Sequence, residues 1–522
     1  MSGKKHSPLW VILIAVALVI TACTPLDQPT ALPGGQSLPQ EPAPNPNTLA
    51  GPLPGRPTLD PIYLPPTRVP GSPFLNPTPD SPRILPTPRT QTETVTVQPG
   101  DSLSNIARRF GIGLRSLIAA NGIANPDLIE VGQVFSVPAP APVPLEAAFG
   151  NKLIPDSELV FSPPTAVFDT AAFINQNPES YLAQYQEEIF GRNLTGAEII
   201  DRISREYSVN PRLLIALLEY STGAARSPQL KEKYKDYPMG LENPARKGLY
   251  RQLAFTANAL NRGYYLWKVN AIPYLILADD TIVPVSNQNN AGSIGLQYFF
   301  SLVEDFPAWR AAILPEGFVN TYQELFGNPF DYSYDPIVAD NIIQPALWLP
   351  FEPGVAWSYT GGPHGGWGDG SAWAAIDFAP PGEALGCVAS DAWVTAAADG
   401  PVIVSEDGVV VQDLNGDGYE QTGWTLLYLH IETRDRVKNG AVLRAGDRIG
   451  HPSCEGGLST GTHVHFARRY NGEWISADGN LPLILDGWQT EGLGKEYDGL
   501  LIKDGKKVEA WEGRFPENQI KR

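Results

Sequence analysis

The hydrophobic and polar pattern changes character several times along the chain. An apolar run from Leu9 to Ile20 stands directly behind Lys4 and Lys5. From Thr24 to about Thr92 no period is visible, and pieces such as EPAPNPNTLAGPLPGRP and LPPTRVPGSPFLNPTPDSPRILPTP offer too little apolar surface to fold, which predicts an extended tether. Periodicity returns over residues 93–138. Leu103, Ile106, Ala107 and Phe110 form one apolar stripe behind a Ser102 cap, and Leu114, Leu117 and Ile118 repeat it, so two short helices are predicted between two strands, a βααβ unit. Residues 150–350 are mostly of helical spacing, clearest in LTGAEIIDRISREYSVNPRLLIALLEYSTG, which opens on a Thr195 cap. From about Val355 the period falls to two, in runs such as DAWVTAAADGPVIVSEDGVVVQDL and QTGWTLLYLHIE, which read as short antiparallel strands over residues 351–486. The remainder, 487–522, predicts a β extension with a hairpin turn at Asp504-Gly505. The fold class is multidomain: a small βααβ module, a mainly helical middle domain and an all-β, antiparallel-sheet domain.

Composition narrows the functions open to this layout. The 522 residues include 51 prolines and 50 glycines, too many for one packed domain. With 38 basic against 56 acidic residues the net charge is -18, which repels phosphate backbones and excludes nucleic acid as a partner. Residues 1–22 have the layout of a secretory signal peptide, and the apolar run is short for a membrane span. The quartet Ile20-Thr21-Ala22-Cys23 resembles the lipobox of bacterial lipoproteins. That resemblance implies cleavage before Cys23, lipid on its new N-terminus, a membrane partner and an extracytoplasmic location facing the cell wall, with residues 23–92 as the linker. Cys387 and Cys454 then remain as an even pair in an oxidising compartment, and a disulfide is the expectation. The rival, metal ligation by Cys454 with His451, lacks two further ligands nearby.

Five of the six histidines, His364, His430, His451, His463 and His465, fall in the β-rich part. In GTHVHFARRY, side chains at i and i+2 of a strand leave the same face, so His463 and His465 point at one place. Exposed strand histidines are the plain reading of such a pair, but strand packing does not ask for the other three. A catalytic zinc takes three N or O ligands and keeps one position open for water. His364 in TGGPHGGWGDG, Asp377 in WAAIDFAPPG and His465 are the candidates, against a turn-capping role for the aspartate. Elsewhere, DLNGDGYEQTGW sets Asp413, Asn415, Asp417 and Gly418 at calcium-loop positions one, three, five and six. Position twelve is Trp424 where a bidentate Glu belongs, so a calcium site and a hairpin turn both remain open.

The pattern V-x-x-G-D-S-L-x-x-I-A-x-x-F, followed by L-x-x-A-N-x-I and I-x-x-G-Q, resembles a LysM module, which implies binding of N-acetylglucosamine-containing glycan, usually peptidoglycan. In the helical region, Glu219 in LLEYSTG and the segment Gly292-Ser293-Ile294-Gly295-Leu296-Gln297 resemble lysozyme-like lytic transglycosylases, with the departure that Gly292 stands 73 positions after Glu219. Glu219 is therefore either a general acid or a helix charge.

The stretches AIDFAPPGEALGCVASDAWVTAAADGPV, TLLYLHIETRDRVKNGAVLRAGDRIGHPS and STGTHVHFARR resemble the lysostaphin-type zinc endopeptidases that cut peptidoglycan peptides. The family's first ligand is usually written H-x-x-x-D, yet Trp373 stands four before Asp377 and cannot ligate zinc. His364, thirteen residues upstream, matches the longer spacing of the beta-lytic and staphylolytic branch. The resemblance implies zinc on His364, Asp377 and His465, with His463 and His430 catalytic and their two roles interchangeable. It implies hydrolysis of peptide stems or cross-bridges on a wall held by the LysM module. The alternative is a catalytically inactive lipoprotein that activates other cell-wall hydrolases.

Overall fold

The computed structural model describes residues 59–63 and 83–522. The expected signal peptide, Cys23 and most of the Pro-rich linker lie outside the described residues. The βααβ unit is present: β1 (Glu93–Thr96) pairs antiparallel with β2 (Val134–Val137), with α1 (Leu103–Arg109) and α2 (Leu114–Asn121) between them. Ser102 caps α1 through its hydroxyl, as the sequence predicts. Val95, Ile106, Leu117, Phe135 and Val137 give the unit a core of its own.

The middle region is built on α3 (Gly196–Tyr207), α4 (Pro211–Thr222), α5 (Leu249–Lys268) and α6 (Ala291–Val303), with a small hairpin of β3 (Tyr274–Ile276) and β4 (Ile282–Pro284). Thr195 and Glu198 close a capping box on α3. Packing is close where α5 meets α6, because a Cβ on Gly263 would lie 2.9 Å from the Gly295 Cα. Side-chain contacts tie the βααβ unit and the segment before it to this region. Gly113, at the N-cap of α2, has no side chain to offer, and Asp280 from the β3–β4 turn replaces it by accepting the Arg115 N–H at 2.6 Å. Arg83 donates to the carbonyls of Trp267 and Lys268 at the end of α5, so the chain already lies on the body before residue 92.

Glu219 does not have the surroundings of a general acid. Its Oε2 accepts the N–H groups of Ala225 and Arg226, and its Oε1 pairs with the Arg226 guanidinium at 2.8 Å, so the carboxylate ties down the turn after its own helix. Gly292–Gln297 lie within α6, where the buried Gln297 amide donates to the Phe149 carbonyl. Both pieces of the lysozyme-like resemblance serve packing.

The C-terminal third is an antiparallel sheet of β5 (Trp357–His364), β6 (Ala375–Ala379), β7 (Gly400–Glu406), β8 (Val409–Asp413), β9 (Trp424–Leu429), β10 (Val442–Leu443), β11 (Val464–Tyr470) and β12 (Glu473–Trp474). Its order is β10-β7-β8-β9-β11-β6-β5, with β12 folded back on β11. The 487–522 extension contains β13 (Trp488–Gly492), β14 (Gly499–Lys503) and β15 (Lys506–Glu509), the last two joined by the predicted turn, with Asp504 at φ 49° and Gly505 at φ 78°. A final strand, β16 (Gln519–Ile520), covers the free edge of β5. The predicted disulfide between Cys387 and Cys454 is formed and joins the loop after β6 to the loop before β11.

Alternation along the strands divides the sheet's faces. Ile376, Phe378, Leu426, Tyr428, Val464 and Phe466 point to one side, into a core shared with Trp488, Leu501 and Val508 of the extension. Ala375, Leu427 and Ala467 point to the other side, into the same core as Ile199, Ile203, Leu260 and Tyr264 of the helices. Charge reinforces that junction: Asp407 meets Arg192 at 2.7 Å and Arg202 at 2.6 Å, and Lys268 reaches Glu473 at 2.8 Å. The calcium reading of the 413–424 turn is corrected here. Asp413 spends both oxygens on the N–H groups of Asn415, Gly416 and Gly418, while Asp417 accepts from Tyr419, Thr422 and Asn415, which makes a self-satisfied Asx turn.

Removing the borrowed cap should loosen α2 selectively. Asp280→Ala is expected to cost about 1 kcal/mol, read as faster amide exchange over Leu114–Asn121 with α1 little changed; uniform exchange across the βααβ unit would refute the capping account.

Candidate metal centre

The site forms across β5, β6, β9 and β11, around Asp377 at the middle of β6, with the C-terminal ends of β5 and β9 and the start of β11 beside it. In the β6–β11 register Asp377 sits directly opposite His465, and on the next strand pair Leu429 is opposite His465, so His430 emerges one step beyond. His430 has φ 66°, and Ser453 fixes its carbonyl through both its N–H and its hydroxyl. β5 contributes differently. Its register against β6 shifts between Tyr359 and Gly361 and again between Gly361 and His364, and these bulges re-aim the strand end so that His364 meets the others. Gly361 is obligatory at this corner: it lies opposite Asp377, and a Cβ there would come within 2.6 Å of Asp377 Oδ2.

His364, Asp377 and His465 are buried and bring one ligand atom each within 4.8 Å of the others, the one such group of His, Cys, Asp or Glu among the described residues. Asp377 Oδ1 is 3.3 Å from His364 Nε2, 3.3 Å from His465 Nδ1 and 3.7 Å from His463 Nε2. The remaining ring nitrogens are occupied. His364 Nδ1 lies 2.8 Å from the Gly362 carbonyl and His465 Nε2 lies 3.1 Å from that of Gly366, and a carbonyl accepts only from an N–H, so both protons are spent there. Consequently His364 Nε2 and His465 Nδ1, 3.0 Å apart, face each other as lone pairs, beside an Asp377 Oδ1 that is buried without a hydrogen-bond partner. Three acceptors converging with no donor among them are the donor set of a cation site, and nitrogen–nitrogen–oxygen chemistry suits zinc.

Electrostatics report the same attraction for positive charge, which a proton on His364 Nε2 meets where no cation is held. Burial alone would raise the Asp377 carboxyl, but the charges of His364 and His463 outweigh it and hold it well below the ordinary carboxylate range. Burial pulls His364 down, yet the Asp377 charge beside it wins and leaves it raised. His465 is lowered by burial. His430, donating from Nδ1 to the Glu455 carbonyl at 2.8 Å, is pushed down to about 3 by burial and then by His463 and His465. His463 directs Nδ1 at the Gly461 carbonyl, 2.7 Å away, and its ring lies 4.5 Å from that of His430. His451 stands apart: it donates toward the Ala392 carbonyl and packs on Trp393, while Cys454 is in the disulfide.

Sequence reasoning missed Tyr497. It belongs to the C-terminal extension, stacks on His364 with ring centres 4.3 Å apart, and exchanges backbone hydrogen bonds with Gly362 and Pro363. Burial and the nearby Asp377 push its phenol up to about 12, so it stays protonated. Nothing in a half-exposed Tyr in a turn announces this, since the contact depends on how the extension folds back. Trp373 takes no part in the cluster; its carbonyl accepts the Ala477 N–H at 2.8 Å.

Comparison with known proteins divides the chain as the fold does. Residues 95–138 match the LysM domain, 152–338 the N-terminal domain of LasA, and 379–477 peptidase family M23. Protease LasA of Pseudomonas aeruginosa is 26% identical over 302 residues, spanning 54% of this chain and 68% of that protein. Beta-lytic metalloendopeptidase of Lysobacter enzymogenes is 27% identical over 154 residues, 29% of this chain and 83% of that one. Among solved structures, the deep-sea M23 metalloprotease pseudoalterin is 24% identical with a TM-score of 0.28, covering 34% of this chain and 99% of that chain. The catalytic domain of lysostaphin from Staphylococcus simulans is 23% identical with a TM-score of 0.17, covering 24% and 89%.

The corner glycine gives a test of the geometry. Gly361→Ala should displace the Asp377 carboxylate while leaving the sheet folded, so zinc uptake by the purified protein should fall at least about tenfold. Unchanged uptake would show that Asp377 does not need that space.

Proposed function

The chain is a LysM-containing metallopeptidase of the M23 type, and from that premise we propose that it hydrolyses peptide stems or cross-bridges of peptidoglycan outside the cytoplasm. The convergence of His364 Nε2, His465 Nδ1 and the partnerless Asp377 Oδ1 carries the reading. These three residues would hold zinc, which would supply Lewis-acid chemistry toward the scissile carbonyl and the attacking water near neutral pH. His463, with Nδ1 committed to the Gly461 carbonyl, presents Nε2 toward the centre, where it takes the proton of the attacking water and returns it to the leaving amine. His430 is held the same way, by the Glu455 carbonyl, and burial keeps it neutral with Nε2 unprotonated, which leaves the base role to His463. Neither offers an N–H to a developing oxyanion in that tautomer. Tyr497, protonated and stacked on His364, supplies the O–H donor instead.

The remaining parts set location. Residues 93–138, with a separate core, bind the glycan strand, and lipid on Cys23 holds the chain at the membrane with the Pro-rich segment as spacer. Residues 351–486 form the catalytic unit, and 487–522 contribute Tyr497.

Substitution separates ligands from proton carriers. His364→Ala is expected to lose both metal and peptidoglycan cleavage. His463→Ala should keep near-stoichiometric zinc and lose about a hundredfold or more in rate. Trp373→Ala should retain zinc. Atomic absorption beside a cleavage assay reads all three, and wild-type protein that stays metal-free after zinc reconstitution would refute the enzyme in favour of a regulator of other hydrolases.

A fragment of residues 83–145 should co-sediment with insoluble peptidoglycan without the catalytic unit. Retention no greater than a control protein's would remove the LysM module from the binding function.

A further inference from the structure

We propose that Asn258, on α5 of the helical region, is a positioning residue for His465, acting through the 365–371 loop that leads from β5 to β6. The inference rests on the metal-site reading above and deepens it. The Gly366 carbonyl takes the His465 Nε2–H at 3.1 Å and so leaves the Nδ1 lone pair for metal. A carbonyl can select a tautomer only while it is itself held in place. Within the loop, Gly366 N–H binds the Ala372 carbonyl at 3.1 Å and Trp367 N–H binds Ser371 Oγ at 3.0 Å.

The outer half of the loop is held from another region of the chain. Asn258 Oδ1 accepts the Gly370 N–H at 2.9 Å, and its Nδ2 donates to Asp369 Oδ1 at 2.5 Å. Arg262, one turn on, donates to the Asp369 carbonyl at 2.8 Å. The loop is shaped for this grip: a Cβ on Gly368 would lie 2.5 Å from Asn258 Oδ1, and one on Gly370 would lie 2.0 Å from the Asn258 carbonyl. Behind it, a Cβ on Gly366 would lie 2.6 Å from the Trp474 ring. Asn258 is flanked by buried Ala257, Ala259 and Leu260, which fix it to the core that the helices share with the sheet. Both ends of its amide are thus used on the loop, and the helix that presents it cannot shift without disturbing that core.

The test measures zinc affinity on the full chain by competition with a chromogenic chelator, with circular dichroism and thermal unfolding as controls for folding. Asn258→Ala and, from the exposed side of the same bond, Asp369→Ala should each weaken zinc about 10- to 100-fold. Asn258→Asp alone sets two carboxylates against each other and should be as damaging. Combined with Asp369→Asn, it restores the hydrogen bond with donor and acceptor exchanged, and affinity should return to within about threefold of wild type. In the metal-free protein, ¹⁵N NMR should find His465 as the single Nε2–H tautomer, and a mixture in Asn258→Ala. Arg192→Ala, which cuts an ion pair across the same two regions away from the loop, should leave affinity unchanged. Folded Asn258→Ala and Asp369→Ala proteins with wild-type affinity and tautomer would overturn the inference, as would a double variant that is not rescued. A wild type that binds no zinc overturns the metal-site reading instead.

Discussion

The antiparallel pairing of β6 with β11 sets Asp377 against His465 and Ala375 against Ala467, and the rest of the molecule depends on that register. A one-residue slip of β6 would turn Asp377 into the opposite core, away from His465, and turn Ile376 and Phe378 out of it. Register is therefore held by hydrophobic burial on both faces, with the extension packed on one and the helices on the other. The polar pair is carried among these apolar positions, on the same side as Ala375 and Ala467, where the loop after β5 and Tyr497 of the extension close around it.

One face of the sheet thus does two jobs. Near its middle, Ala375, Leu427 and Ala467 are small or flat enough for α3 and α5 to close over them; at its end the same alternation delivers Asp377 and His465. Because helices and site share a face, the helical region reaches the 365–371 loop directly, and its core is continuous with the strands that carry Asp377 and His465. Residues such as Arg202 and Asp407, paired at 2.6 Å, fasten that arrangement across the junction. The helical region is in this sense part of the peptidase's foundation.

The four imidazoles at the site follow a common rule. Each gives one ring N–H to a backbone carbonyl, of Gly362, Glu455, Gly461 or Gly366, and turns its other nitrogen inward. Three of those carbonyls belong to glycines, where a missing side chain lets the backbone approach the ring closely. The glycine-rich TGGPHGGWGDG and GTH segments are in this respect the orienting half of the site, and the sparse histidines only its visible half.

Much of this was legible in the chain itself. Helical stripes behind Ser102 and Thr195, the period-two runs after Val355, the Asp504-Gly505 turn and the even pair of cysteines are local signals, set by side-chain periodicity, capping and turn chemistry, and they need no knowledge of distant residues. His463 stands one residue before β11, in a bridge to Ser453, and the extended backbone there keeps it on the same side as His465. What only the tertiary structure decided was everything that depends on which distant segments meet: that two bulges in β5 bring His364 to Asp377, that Asp280 caps a helix in another module, that Asp413 and Asp417 turn inward on their own backbone, that Glu219 closes its own helix end, and that Tyr497 folds back over His364. Those contacts join positions far apart in sequence, and periodicity states which face a residue occupies but not what the fold will lay against it.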